Sequence, residues 1–165
     1  MDSSHDQIIT WLRDAHAMER NMESVLTRHL RDAQDYPTVR EQLEKHLNET
    51  RDHARRLEGA LETLGATPST TKDLAAGLLG ALQAMSTSVL PDEPVKNALA
   101  EYAMEHLEIA TYSALIAAAE AAGLIDVSHI CSDILREETA MALWLEDQIP
   151  QITRMYLEQT ASAAG

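Results

Sequence analysis

Residues 101–123 read EYAMEHLEIATYSALIAAAEAAG, and this stretch decides the fold. It is rich in Ala, Leu and Glu, has no proline and closes on Gly123, so it is expected to be helix. Most of its circumference is apolar, so most of it must be buried. Yet Glu105 and Glu108 stand three residues apart within it, on neighbouring turns. A carboxylate placed there needs a partner, a metal, or an edge of the buried surface. Which of these applies depends on carboxylates and histidines elsewhere in the chain.

At 165 residues the chain is the size of one domain, and a single domain over residues 1–165 with a substantial core is expected. Apolar residues make up 45% and phenylalanine is absent. No stretch alternates apolar and polar long enough to predict a strand. A single cysteine, Cys131, excludes an internal disulfide. No secretory leader opens the chain and no apolar run approaches membrane-spanning length, so a cytoplasmic protein without membrane association is expected. The formal charge of −14 argues against nucleic acid as a partner and suits cations.

Helical spacing extends on both sides of the opening stretch. A first helix is expected over 3–34, capped by Ser3 or Ser4, with Ile8, Leu12, Ala15, Met22, Leu26 and Leu30 in register. Tyr36-Pro37 ends it and starts a second, which carries Leu43, Leu47, Thr50, Ala54, Leu57, Leu61 and Leu64 in one stripe and stops at Gly65. A shorter helix is predicted over 71–89. Leu90-Pro91-Asp92-Glu93-Pro94 then opens the third long helix, which ends at Gly123. Asp126 is read as the cap of a fourth that continues toward residue 160, kinked or interrupted by Pro150. The sum is an all-α, antiparallel four-helix bundle with a short extra helix between the second and third long helices.

Helical projection tests which charges face inward. Glu19 falls near the centre of the first helix's apolar stripe, between Ala15 and Met22, where an unpaired charge is rare. Glu49, His53 and His46 lie on the flank of the second helix's leucine stripe, a position usually solvated. The third helix has two stripes, one through Leu99, Tyr102, His106 and Ile109, the other through Met104, Leu107, Thr111 and Leu115; projection does not choose between them. The fourth sets Glu138 with Cys131, Leu135 and Leu145, and Glu137 with Ile130, Met141 and Trp144; one of the two faces inward.

Three runs, HLNET (46–50), EHLEIATY (105–112) with its alanine-rich tail, and ILREET (134–139), resemble the YciE/YciF-type family within the ferritin-like superfamily. The resemblance covers nearly the whole chain and includes the extra short helix. It implies a ferritin-like bundle and stress association. More distantly the chain is similar to rubrerythrin and bacterioferritin, whose bundles direct glutamates and Glu-x-x-His pairs inward to hold two metals. That similarity implies a metal site of Glu19, Glu49, His53, Glu105, Glu108 and Glu138 binding two iron or manganese ions. Glu105-x-x-Glu108-x-x-x-Tyr112 looks like the third-helix pattern of rubrerythrin, and ILREETAMALWLEDQI places the bacterioferritin ligand glutamate on Glu138. Two departures stand out. Thr50 occupies the motif position three residues before His53, and Met141 stands where a histidine is expected; a thioether is a poor ligand for a hard ion. The nitrogen donors then fall to His53 with His46 or His106.

The chemistry implied is oxidation of ferrous iron or consumption of peroxide. The competing expectation is a structural, partner-binding bundle that has lost its metal. Its support is the second apolar stripe of the third helix, which also leads to a homodimer under either reading.

Overall fold

A computed structural model describes residues 3–68 and 93–163 of the chain. Four helices fill them: α1 (Ser3–Asp32), α2 (Pro37–Thr63), α3 (Glu93–Ala121) and α4 (Ile125–Ala163). The predicted helix over 71–89 lies outside the described residues.

The helix boundaries have local causes. Pro37 sits in the first turn of α2, where its missing N–H has no helical partner to lose. Gly65 and Gly123 take positive φ values of 69° and 71° just past α2 and α3. At each, a paired cap closes the last turn: Ala66 N–H donates to Leu61 C=O and Gly65 N–H to Glu62 C=O. Leu124 and Gly123 do the same toward Ala119 and Glu120. Two details differ from expectation. Asp126 lies inside the first turn of α4, where its charge complements the helix dipole, and does not precede the helix. Pro150 leaves α4 unbroken; Pro150 and Glu146, whose carbonyl it deprives of a donor, are both exposed, so water can serve that oxygen.

Helices α1 and α2 form one hairpin, α3 and α4 another, with α1 against α3 and α2 against α4. Cross-contacts fix the directions. His16 meets Glu58 while Arg51 meets Glu23, so α1 and α2 are antiparallel. Tyr112 meets Glu19 while His29 meets Glu101, so α1 and α3 are antiparallel. The diagonal pair α2 and α3 therefore runs parallel, and the four described helices form a four-helix bundle. No helix among the described residues is long and apolar enough to cross a membrane.

The core is layered. One apolar cluster contains Leu12, Leu57, Leu61, Leu115 and Ile134; another contains Met22, Leu26, Leu43, Met104, Met141 and Leu145. Burying each such side chain contributes about 1.5–3 kcal/mol. A third small cluster joins Tyr36, Ala98 and Ile152 at the end of the bundle where α1 meets α2. Polar side chains occupy the levels between these clusters.

Candidate metal centre

Between the first two apolar layers every helix contributes a buried ionisable side chain. Glu19 (α1), His46 and His53 (α2), Glu105 and Glu108 (α3) and Glu138 (α4) are each at most 1% exposed. Two groups of three converge there, Glu19/His53/Glu138 and His46/Glu105/Glu138, each with ligand atoms within 4.8 Å of one another. Glu138 belongs to both.

The helix repeat explains the convergence. His46 and His53 are seven residues apart, two turns on one face, so a single helix supplies one nitrogen to each group. On α3 the inward line is Glu101, Glu105, Glu108, Tyr112, Leu115 and Ala119, all buried. This corrects the first apolar stripe expected for that helix and shifts the second. Leu99, His106 and Ser113 point to solvent; Met104 and Leu115 of the second stripe are buried, and Leu107, Thr111 and Ala118 are half-buried at the border. Projection by hydropathy fails here because the bundle centre at this level is itself polar. His106 is thereby removed as a nitrogen donor; it packs edge-on against Tyr102. The flank of α2, expected to be solvated, is also corrected: His46 and His53 are buried.

Each imidazole is held at both nitrogens. His53 Nδ1 lies 2.7 Å from Glu138 Oε1 and 3.4 Å from Glu19 Oε2, and its Nε2 is 2.6 Å from Glu137 Oε2. His46 Nε2 lies 3.1 Å from Glu105 Oε1 and 3.5 Å from Glu138 Oε2, and its Nδ1 is 3.4 Å from Glu49 Oε2. Glu49 and Glu137 are thus outer carboxylates. Lys45 binds Glu49 from solvent and Arg56 binds Glu137. Glu49 stands outside both groups, one-quarter exposed, where it can orient His46. Glu137 and Glu138 divide as adjacent helix positions must, one outward to Arg56 and one inward.

Protons carry the charge balance. Burial works to lower the His53 pKa, but hydrogen bonds and charges from Glu138 and Glu19 outweigh it and hold it at about 10. His46 is likewise held well above its ordinary value by Glu105 against the effect of burial. Burial pushes Glu105 and Glu108 well upward, and for Glu108 the charges of Glu138 and Glu19 add to it. Glu138 goes the other way: both imidazoles overcome its burial and lower it. Tyr112 donates to Glu19, and burial beside that carboxylate raises the phenol well above its usual range.

Even so, the cluster is under-satisfied. Glu19 Oε2, both oxygens of Glu105 and of Glu138, Glu108 Oε2 and His53 Nδ1 are buried without a well-aligned hydrogen bond, and of these Glu105 Oε2 and Glu108 Oε2 lie outside the ion pairs above as well. A buried oxygen left with neither typically costs about 1–3 kcal/mol. Carboxylate oxygens with imidazole nitrogens are the donor set for iron or manganese, so the residues fit a metal pair. Sequence reasoning underplayed His46, which was readable from its seven-residue spacing to His53. It missed Glu101 and His29 altogether.

Residues 3–158 match the family described as a domain of unknown function, DUF892. The chain belongs to the DUF892 family. A solved protein of Xanthomonas campestris pv. campestris is 32% identical, with 96% of this chain and 98% of that one covered and a TM-score of 0.82. The E. coli stress protein YciF is 23% identical over 93% of this chain and 99% of its own, with a TM-score of 0.80. Ferritin-like, diiron-carboxylate proteins from Bacillus anthracis share 16% identity over 90% of this chain and 99% of theirs, with a TM-score of 0.70. This DUF892 chain therefore has the ferritin-like helical bundle of the YciF type.

Proposed function

We propose that this protein binds two transition-metal ions, iron or manganese, between the apolar layers of its bundle and acts there as an oxidoreductase on ferrous iron or peroxide. The observation that carries the reading is the pair of converging groups that share Glu138, with six carboxylate oxygens and one imidazole nitrogen around them lacking a well-aligned hydrogen bond. The diiron-carboxylate character of the B. anthracis relatives and the stress association of YciF point the same way. Met141 does not weaken it, because His46 brings a nitrogen to the group where α4 lacks one.

When bound, a ferrous pair supplies two electrons, enough with two protons to reduce one H₂O₂ to two waters. The rest falls to the chain. Glu19, Glu105, Glu108 and Glu138 provide hard oxygen donors, and His46 and His53 provide one nitrogen each. Tyr112 fixes the Glu19 carboxylate by donating to it. The apolar layers on either side exclude water. Metal entry competes with the protons that the raised pKa values of His46, His53, Glu105 and Glu108 favour.

Anaerobic loading with Fe(II) or Mn(II), desalting and metal analysis tests the reading. About two tightly held equivalents are expected, since this site type holds a pair, and Glu138→Ala should lose them. A wild-type protein that retains no metal after loading would sink it.

A further inference from the structure

A second polar level lies between the apolar cluster of Leu26 and Leu145 and the small cluster of Tyr36 and Ile152. There His29 of α1 and Glu101 of α3 meet, His29 Nδ1 against Glu101 Oε1, with both side chains 2% exposed. Their contact leaves His29 Nε2 and Glu101 Oε2 buried without a hydrogen bond. Both residues line a cavity of about 30 Å³, the room that one or two waters take. Its walls are largely apolar, yet His29, Glu101, Asn97 and Asp32 give it the two to four polar partners that a buried water needs. Asn97 is buried and its amide lies 3.4 Å from the Asp32 carboxylate, which is exposed. Polar groups therefore run from solvent at Asp32 to the buried Glu101.

We propose that His29 and Glu101, joined to solvent by water in this cavity, form the proton inlet of the metal centre. The inlet rests on the functional reading above, in which each H₂O₂ reduced to two waters takes two protons along with the two electrons of the ferrous pair. Protons cannot reach the centre through His46 or His53 once their inner nitrogens hold metal. Glu49 and Glu137 then orient those rings without feeding them. The chemistry at His29 is that of a shuttle: the ring takes a proton from water at Nε2 and gives one from Nδ1 to Glu101 Oε1. The Glu101 carboxyl, gaining a proton at one oxygen, releases one from the other toward Glu105, one turn along the same face of α3. Burial first, then the charges of Glu138, Glu19, Glu105 and Glu101, raise Glu108, so Glu101 stands within electrostatic reach of the centre.

The test compares the iron-loaded, full-length wild type with Glu101→Gln, Glu101→Asp and Asn97→Leu, and adds a high-resolution crystal structure of the metal-free wild type. The crystal should show ordered water between His29 Nε2 and Asn97 or Asp32. Glu101→Gln and Asn97→Leu, the second of which leaves the His29–Glu101 pair in place, should keep their iron content and KM for peroxide. Their kcat should fall about tenfold or more, with a larger solvent-deuterium isotope effect. Glu101→Asp retains an ionisable carboxyl and should recover much of the rate. A dry cavity in the wild type, or a Glu101→Gln enzyme with the wild-type kcat and isotope effect, would overturn the inlet and leave the functional reading intact. A wild type that holds iron and consumes no peroxide would instead end the peroxide reading and the inlet with it.

Discussion

His46 and His53 address the same buried cluster through different ring nitrogens, Nε2 for His46 and Nδ1 for His53. The outward nitrogen of each meets a partly exposed carboxylate, Glu49 or Glu137, clamped in turn by Lys45 or Arg56. The two outer carboxylates therefore fix which ring nitrogen is available inside, an arrangement that raises imidazole basicity toward a metal.

Glu137 is the better one to test, because its 2.6 Å contact to His53 is the shorter. Glu137→Gln keeps the shape and removes the charge. Metal affinity should fall about 10- to 100-fold, the usual cost of losing such an outer partner. Helical content should be unchanged. Competition with a metallochromic chelator measures the first and far-ultraviolet circular dichroism the second.

Glu108 bears the opposite signature. It is 1% exposed, surrounded by Glu138, Glu19, Glu105 and Glu101, and one of its oxygens has no partner. Glu108→Gln should stabilise the metal-free protein at alkaline pH by about 1–2 kcal/mol, because there the wild-type acid must ionise against its neighbouring carboxylates and the amide need not. At about 2–4 °C per kcal/mol for a chain of this size, Tm rises by a few degrees in chelator. Metal affinity should drop in the same variant. A lower Tm without metal would mean that Glu108 is held by something other than its repulsion.

The bundle was legible from sequence because its helix ends rest on local chemistry, Pro37 at one start and Gly65 and Gly123 past two ends. Glu19 was legible for a similar reason: a charge in the middle of a clean apolar stripe stands out. The inward face of α3 was not, since its true centre is a line of glutamates that any hydropathy rule turns outward. His46 and His53 were obscured in the same way, lying one position off the leucine stripe yet fully buried. Sequence periodicity reports where apolar surface goes, and this bundle interrupts its apolar core with polar levels.

The titration behaviour has a definite sign. The imidazole of His53 has a pKa of about 10 in the fold, against an ordinary 6.5, and His46 is raised as well. Their stabilisation is complete below pH about 6.5 and is lost as pH climbs toward about 10. Glu105 and Glu108, also raised, contribute with the same sign from pH about 4.5 upward. Glu138 and Glu49 are lowered, Glu49 to about 2, so what they contribute is lost on acidification below about 4.5. The metal-free protein should therefore lose Tm steadily from pH 6 to pH 9. Metal affinity should rise over the same range as the competing protons leave, and loading at neutral pH should release protons. Thermal scans in chelator and pH-stat titration with Mn(II) measure both; a Tm that climbs with pH in chelator would contradict the protonation pattern.

Tyr112 offers the last test, because its role differs with and without metal. Its hydroxyl, fully buried, donates to Glu19 Oε1, while Glu19 Oε2 has no hydrogen bond. Tyr112→Phe keeps the ring in the apolar layer beside Leu115 and leaves both oxygens of a buried carboxylate bare. The metal-free variant should lose about 1–3 kcal/mol, the cost of exposing an acceptor to an apolar surrounding. A cation on Glu19 would satisfy that carboxylate by other means. The stability gap between Tyr112→Phe and wild type should therefore narrow on Mn(II) loading, as paired denaturant titrations with and without metal would measure. A gap that stays constant would show that no ion reaches Glu19.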